Sequence, residues 1–418
     1  MRGVDGGRQV EVDAMGREIK PLQSVKPVPG NNLYLAIDLD IQKAAEEAFR
    51  DKNGALVAMD PRTGRVLAML SKPSFDPSVF ARNISSEEWQ ALMENPFHPL
   101  QDKVIQGQYP PGSVFKIITA IAGLESGAIT PQTQLVCTGA YTYGNRDFRC
   151  AKEGGHGTLS LHRALAQSCD VFFYQVGLKT GVDRIAHYAR EFGLGRPTGI
   201  PLLNEKPGTI PSSAWKKKRF GIPWYSGETL SVAIGQGYIN VTPIQLVTLI
   251  SAVANGGRLY VPQIVEKVEN ISGISLKEYP PVESGRVDVS ESTLQAIREG
   301  LLGAVNEPGG TGWQSALKDI KVAGKTGTAQ VVRMEKNFRK GDTMRLAQRL
   351  RDHGWFAAFA PYEDPKIAIV VLVEHGGFGG AVAAPIAKKV MERYFNLESA
   401  PTLKGIEKPQ DPELDYDD

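Results

Sequence analysis

Pro110-Pro111-Gly112-Ser113-Val114-Phe115-Lys116 is the stretch from which the rest of this chain can be read. Proline and glycine make a poor helix interior but a good helix entrance. The apolar run that follows (Val114, Phe115, Ile117, Ile118, Ala120, Ile121, Ala122, Leu124) predicts a buried helix opening near Ser113. A serine in a first turn sits among unpaired backbone N–H groups at the positive end of the helix dipole. Lys116 follows at i+3, one turn along the same face. A serine alone is a weak nucleophile, and a partly desolvated lysine can shed its proton and act as the base. A capping serine followed by a solvated lysine would look the same in isolation, so the reading depends on what accompanies it.

Length and composition set the frame. At 418 residues the chain can bury one large core or two. Its 42% hydrophobic and 22% charged content is that of an ordinary globular protein. A net charge of +2 gives no reason to expect nucleic acid as a partner. No run approaches a membrane span, and residues 1–20 lack a signal-peptide core.

Outward from Ser113 the chain alternates in character. Residues 1–30 are polar and rich in glycine and proline, and read as the tail of a preceding module plus a linker. A strand at 33–37 and a helix at 41–49 follow, with Asp38 or Asp40 as cap. Residues 54–59 and 65–70 predict a hairpin across Asp60-Pro61-Arg62-Thr63-Gly64. Residues 71–109 read as one long irregular segment. Helices are predicted at 159–167, 171–179, 182–192, 290–305 and 384–395, and one more begins at Thr242-Pro243, a cap followed by a proline suited to the first turn. Gly193-Leu194-Gly195-Arg196-Pro197-Thr198-Gly199 follows a helix and reads as a stop and loop, not as a phosphate cradle. Residues 200–230 read as loop, with Lys216-Lys217-Lys218-Arg219 as a solvated basic run able to attract an anionic polymer. Strands are predicted at 321–330, 355–360 and 367–374, a basic loop at 333–351, and a disordered acidic tail at 401–418. Early hairpin, central helices and late strands make an α+β architecture in which one antiparallel sheet carries helices on its faces.

Three short pieces now fall in order: Ser113-x-x-Lys116, Ser168-x-Asp170 and Lys325-Thr326-Gly327. This set resembles the motifs of penicillin-binding proteins and serine β-lactamases, with Asp170 where asparagine is commoner. The likeness spans nearly all of residues 31–395. Gln108-Tyr109-Pro110-Pro111-Gly112-Ser113, Phe172-Phe173-Tyr174-Gln175, Gly235-Gln236-Gly237, Thr242-Pro243-Ile244-Gln245-Leu246 and Gly324 to Gln330 resemble the class B penicillin-binding proteins, in particular the elongation transpeptidases of the penicillin-binding protein 2 group.

The resemblance implies the penicillin-binding/β-lactamase-like transpeptidase fold, an antiparallel sheet with helices on both faces plus an all-helical subregion. It implies a remnant of an N-terminal pedestal at 1–30, a transpeptidase domain at 31–400, and a membrane anchor lying outside this piece, at the periplasmic face of a bacterial inner membrane. It also implies an activity of the serine-type D-Ala-D-Ala carboxypeptidase class. The partners implied are peptidoglycan stem peptides ending in D-Ala-D-Ala, β-lactams and a membrane glycosyltransferase. Catalysis would need no cofactor. In this scheme Ser113 attacks the peptide carbonyl and Lys116 takes its proton. Ser168 relays that proton to the leaving amine, and Asp170 holds Ser168, Lys116 or the substrate in place. Lys325 supplies charge for the substrate carboxylate, with Thr326 or Thr328 donating to it, and Gly327 lets the strand lie against the substrate. The N–H groups of Ser113 and Thr328 form the oxyanion hole. The geometry required is a single cleft in which the Ser113 hydroxyl touches both lysine amines.

Competing readings share the fold: a D,D-carboxypeptidase, a β-lactamase or a β-lactam sensor. No clear Glu-x-x-Leu-Asn appears, the nearest stretch being Glu291-Ser292-Thr293-Leu294-Gln295 in a predicted surface helix. A Ser-His-Asp hydrolase finds no G-x-S-x-G. Finally, the three cysteines, Cys137, Cys150 and Cys169, fall close together with His156 among them. Three thiolates and one imidazole make a closed tetrahedral zinc shell, and a structural zinc is expected there. A Cys137–Cys150 disulfide is the competing reading.

Overall fold

The computed structural model describes residues 2–331 and 350–397. The acidic tail at 401–418, and all but the last two residues of the basic loop expected at 333–351, lie outside the described residues. Five antiparallel strands form the main sheet in the order Ala323–Ala329, His353–Ala360, Ile367–Val373, Gly54–Met59, Val66–Lys72. The early hairpin therefore pairs with the last strand, as its apolar runs led one to expect. Ile367–Val373 is apolar at every position and buried at every position. A strand with no polar face has to be covered on both sides.

The two coverings differ. One face carries Leu56, Ala58, Phe356, Ile369 and Val371, and packs against the helices Leu39–Phe49 and Ala384–Tyr394. The other carries Val57, Trp355, Ala357, Val370 and Leu372, and continues into the helical region built on Lys116–Glu125, Asp170–Thr180 and Pro243–Ala254. All twelve residues of Pro243–Ala254 are buried. Its entrance is fixed by a capping box: Thr242 Oγ1 accepts from Gln245 N at 3.4 Å, and Gln245 Oε1 accepts from Thr242 N at 3.0 Å. Asp38, not Asp40, caps the helix Leu39–Phe49.

Several segments depart from the expectation. The stretch at 71–109 holds a helix, Ser86–Glu94, opened by a Ser85/Glu88 capping box. Within the stretch read as module tail plus linker, residues 7–12 and 18–25 form a two-stranded hairpin. Residues 135–159 fold into two small hairpins. Two helices, Ser213–Phe220 and Ser226–Ala233, replace the loop expected over 200–230. The basic run is not wholly solvated either: Lys216 is 1% exposed and donates to Glu228 at 2.6 Å, because one side of any helix this close to the core must face inward. Among the described residues no helix is long and apolar enough to cross a membrane.

A buried polar cluster lies where the sheet meets the approach to Ser113. Lys103 Nζ and Tyr109 OH take one oxygen each of Glu374, at 2.5 and 2.7 Å. Beside them the His353 ring lies edge-on to Tyr109, and its Nδ1 accepts from His375 N at 3.0 Å. Burial, reinforced by His375, pushes the His353 imidazole down to about 4. A folded-state value below the unfolded 6.5 means the native state binds fewer protons, so stability falls as pH drops from 6.5 towards 4. We expect a loss on the order of 3 kcal/mol across that window from this group. Denaturant titrations at pH 7 and pH 4 should show it, and His353→Asn, which keeps an acceptor but cannot titrate, should flatten the difference.

Candidate active site

Ser113 lies in a short 3-10 turn, Gly112–Phe115, which runs straight into the helix Lys116–Glu125. That turn is pressed onto the edge strand Ala323–Ala329. Gly112 has φ +53°, and a Cβ on it would come within 2.5 Å of the Thr328 carbonyl oxygen. Its N–H donates to Gly235 O at 3.0 Å. From beneath, Trp355 Nε1 donates to Pro110 O at 3.0 Å. Gln236, a residue of the quoted motif to which no role was given, donates from Nε2 to Thr328 O at 3.1 Å. Strand, turn and the 235–237 segment are thus locked as one unit around Ser113 and Thr328.

Lys116 and Lys325 reach the same point from opposite elements, and both are fully buried. Lys116 Nζ donates to Asp170 Oδ1 at 2.6 Å, Ser168 O at 2.8 Å and Ser168 Oγ at 3.2 Å. Lys325 Nζ donates to Ser168 Oγ at 2.7 Å and to Thr326 O at 3.1 Å. With two nitrogens donating to it, Ser168 Oγ has its lone pairs filled, and its own proton must point elsewhere. Ser168 holds φ +56°, a left-handed conformation that costs a non-glycine residue about 1 kcal/mol or more. It is not the helix cap: Cys169 is, its Sγ accepting from Phe172 N at 3.4 Å. Burial, and then the neighbouring Lys116 charge, hold the Lys325 amine well below the usual lysine range, with Asp170 opposing them.

The structure thus joins Lys116, Ser168, Asp170 and Lys325 in one hydrogen-bonded chain beside the Ser113 turn, with Ser168 and Lys116 as its middle links. It differs from the expectation in one respect. Among the described residues Ser113 Oγ has no hydrogen-bond partner, and Lys116 Nζ is directed to Ser168 and Asp170 instead. A carboxylate, a carbonyl and a hydroxyl together satisfy three ammonium protons better than a second serine would. Gly327 has a further role beside the one expected: a Cβ there would meet Pro111 O at 2.9 Å and Trp355 Cβ at 3.0 Å, so its bareness admits the nucleophile turn.

Two contributors carry no sequence signal. Thr311 sets its hydroxyl 2.7 Å from that of Thr326, so one of the pair donates to the other and a second hydrogen stays free. Ala151 N donates to Asp170 Oδ2 at 2.9 Å. An asparagine at 170 could use its amide either way; a carboxylate fixes both oxygens as acceptors, one for Lys116 and one for Ala151.

Ala151 belongs to the segment that gathers the cysteines. All three thiols are free. The ligand atoms of Cys137, Cys150, His156 and Cys169 all lie within 4.8 Å of one another. His156 Nδ1 is 3.4 Å from Cys150 Sγ and 3.6 Å from Cys137 Sγ, and Cys150 and Cys169 are 3.9 Å apart. Tetrahedral zinc with bonds of about 2.3 Å to sulfur and 2.0 Å to nitrogen spaces its ligands roughly 3.5–3.8 Å apart, so the set fits. The Cys169–Cys150 hydrogen bond holds the Cys150 thiol far below the ordinary thiol range and Cys169 above it. Gly155 and Gly157, at φ +75° and +70°, turn the backbone on either side of His156.

An antiparallel sheet with helices on both faces, and two buried lysines around one serine hydroxyl beside a second serine, is the pattern of an acyl-serine transferase. Residues 54–392 match the family described as penicillin binding protein transpeptidase domain, and the chain belongs to that family. It is 37% identical over 402 residues to the peptidoglycan D,D-transpeptidase MrdA of Haemophilus influenzae, covering 95% of this chain and 61% of that protein. The chain thus spans about three fifths of the length of that relative. Among solved structures, it resembles PBP2 of Helicobacter pylori, in a complex with MreC, with a TM-score of 0.79 and 33% identity over 95% of this chain and 70% of that one. It also resembles penicillin-binding protein A of Mycobacterium tuberculosis, a ceftriaxone acyl-enzyme complex, with a TM-score of 0.75 and 30% identity over 91% and 81%.

The depressed Lys325 amine has a measurable consequence. A carboxylate bound beside it draws the proton back, raising the amine's pKa from its free-state value. Binding of a penicillin to Ser113→Ala, which cannot be acylated, should therefore take up protons between the free and bound values. Calorimetry in buffers of differing ionisation enthalpy should give a positive uptake that is largest between those two values and vanishes at pH well below or well above both.

Proposed function

We propose that this chain is the catalytic part of a peptidoglycan D,D-transpeptidase of the elongation type, acting at the periplasmic face of the inner membrane. The observation that supports this best is the shared Ser168 hydroxyl, contacted by Lys116 at 3.2 Å and Lys325 at 2.7 Å beside the Ser113 turn. The likeness to MrdA and PBP2 chains over most of the length points the same way.

The chemistry runs in two halves. A stem peptide ending in D-Ala-D-Ala enters with its terminal carboxylate against Lys325 and Thr328, with the free hydrogen of the Thr311–Thr326 pair beside it. Lys116 passes one ammonium proton to Asp170 across their 2.6 Å contact and, as a neutral amine, takes the Ser113 proton as the Ser113 Oγ–carbon bond forms. The N–H groups of Ser113 and Thr328 receive the developing oxyanion. Ser168 hands a proton to the leaving nitrogen, the carbon–nitrogen bond breaks, and the terminal D-alanine departs. An amine from a second stem peptide then attacks the ester carbonyl. It loses a proton through the same lysine–serine pair, and Ser113 is restored as a cross-link is made. A β-lactam presents its strained amide to the same serine; its leaving nitrogen stays tethered, and the acyl-enzyme persists. Water as the second nucleophile would give the carboxypeptidase reaction instead.

The Cys137, Cys150, His156 and Cys169 set is a structural zinc site in this reading, with all four positions filled by protein. Zinc there would supply no chemistry to the reaction. It would tie the Ala151 N–H to the helix that carries Asp170. A membrane glycosyltransferase would supply the glycan strand, and MreC, found with the Helicobacter relative, is a candidate scaffold partner. Residues 1–30 would be what remains of the pedestal, and 31–400 the transpeptidase domain.

Labelling with a fluorescent penicillin followed by peptide mapping should place the adduct on Ser113, and Ser113→Ala should abolish it. Lys116→Ala should lower the acylation rate by at least a hundredfold with the fold intact, general-base assistance being worth about that much. An adduct elsewhere overturns the assignment, and penicillin turnover within seconds favours the hydrolytic alternative. Elemental analysis should find one zinc per chain, lost in Cys150→Ser; a Cys137–Cys150 disulfide or the absence of metal removes the zinc site.

A further inference from the structure

The basic run at 216–219 takes no part in this chemistry, and the fold gives it a setting that its sequence does not announce. On the helix Ser213–Phe220, Lys216 turns inward and pairs with Glu228 at 2.6 Å. Its Nζ lies 4.4 Å from the Tyr225 ring centre and 5.8 Å from that of Trp224. Tyr238 packs against Trp215, Phe220 and Trp224 at centroid distances of 5.4, 5.7 and 6.4 Å. Trp224 Nε1 donates to Thr229 Oγ1 at 2.9 Å, and Tyr225 N donates to Glu228 at 2.9 Å. The rings are therefore fixed in place by a buried ion pair and by backbone bonds.

Fixed as they are, Phe220 remains 49% and Tyr225 57% exposed. Lys217, Lys218 and Arg219 line the same helix, exposed, and none has an acidic partner among the described residues. Three adjacent cations without an acidic partner among the described residues repel one another, and the outer parts of Phe220 and Tyr225 are left to solvent. Such a shelf suits a ligand that offers flat, weakly polar faces and negative charge together.

Its position narrows the choice. Tyr238 is two residues beyond Gln236, which holds the Thr328 carbonyl, and three beyond Gly235, which accepts from Gly112 N. On the other side Tyr143, at the tip of the hairpin that leads to Cys150 and Ala151, lies where a Gly227 Cβ would touch it at 3.5 Å. One end of the shelf thus starts within three residues of the segment that locks the Ser113 turn to the edge strand. If Ser113 takes stem peptides, the polymer carrying them passes close to this surface.

We propose that this shelf binds the glycan strand of peptidoglycan. Sugar rings stack on Phe220 and Tyr225, and stem-peptide carboxylates pair with Lys217, Lys218 and Arg219. The inference rests on the transpeptidase reading, but its test does not share that reading's readout. The full chain, the charge variant K217E/K218E/R219E and the ring variant F220A/Y225A are each sedimented with purified peptidoglycan sacculi and with phosphatidylglycerol vesicles, and separately labelled with fluorescent penicillin. We expect the unaltered chain to sediment with sacculi in a salt-sensitive way. Both variants should lose affinity at least tenfold, while penicillin labelling stays within twofold. The charge variant alters only exposed side chains, so it decides the matter even if the ring variant does not fold. Sacculus binding that both variants retain, or an unaltered chain that binds vesicles and not sacculi, overturns the proposal. An unaltered chain that binds sacculi but takes no penicillin counts against the transpeptidase reading alone.

Discussion

Everything at the centre of this molecule depends on keeping two lysine amines out of water, a few ångströms apart, around one serine hydroxyl. Burying one ammonium is costly, and a second beside it adds like-charge repulsion. The structure meets that cost with a single carboxylate. Asp170 sits 2.6 Å from Lys116, while Lys325, with no carboxylate of its own, is driven towards the neutral amine. The asymmetry gives the two lysines different characters, one paired and one proton-poor, although the sequence presents them alike.

That arrangement survives only because its supports are rigid. Gly112, Gly235 and Gly327 permit three backbones to approach where any side chain would intrude. Trp355, Tyr109 and Glu374 brace the turn from the sheet side. The cysteine and histidine cluster braces Asp170 from the helical side, through the Ala151 N–H. The site thus lies at a seam between two bodies, the sheet with its outer helices and the helical region. Each contributes one lysine, Lys325 from the sheet and Lys116 from the helices.

How much of this was legible in advance follows the range of the interactions. The main sheet was readable because its strands are unbroken apolar runs, a local property. The serine helix was readable from its glycine–proline entrance and the apolar residues behind it. Short elements held by remote partners were not: the 213–220 helix is mostly polar and is kept by Lys216–Glu228, and the hairpins around the cysteines are organised by those side chains. The 86–94 helix is the exception among the short elements, since Ser85 and Glu88 mark its start by a local capping pattern. Thr311 and Ala151 had no local mark at all, one acting through a hydroxyl and the other through its backbone.

The order and chemistry of the three motifs, their family and the strands and helices that bear them are properties of the linear chain, because each rests on neighbours within a few residues. Only the folded chain decides that Ser168 receives both lysines, that Lys116 faces Asp170 rather than Ser113, and that Gly327 opens onto the turn. Those outcomes depend on burial and on distances between segments 52 or more residues apart. Hydrogen bonds and desolvation act at contact distance, and contact between such segments exists only once the sheet and the helical region have closed on each other.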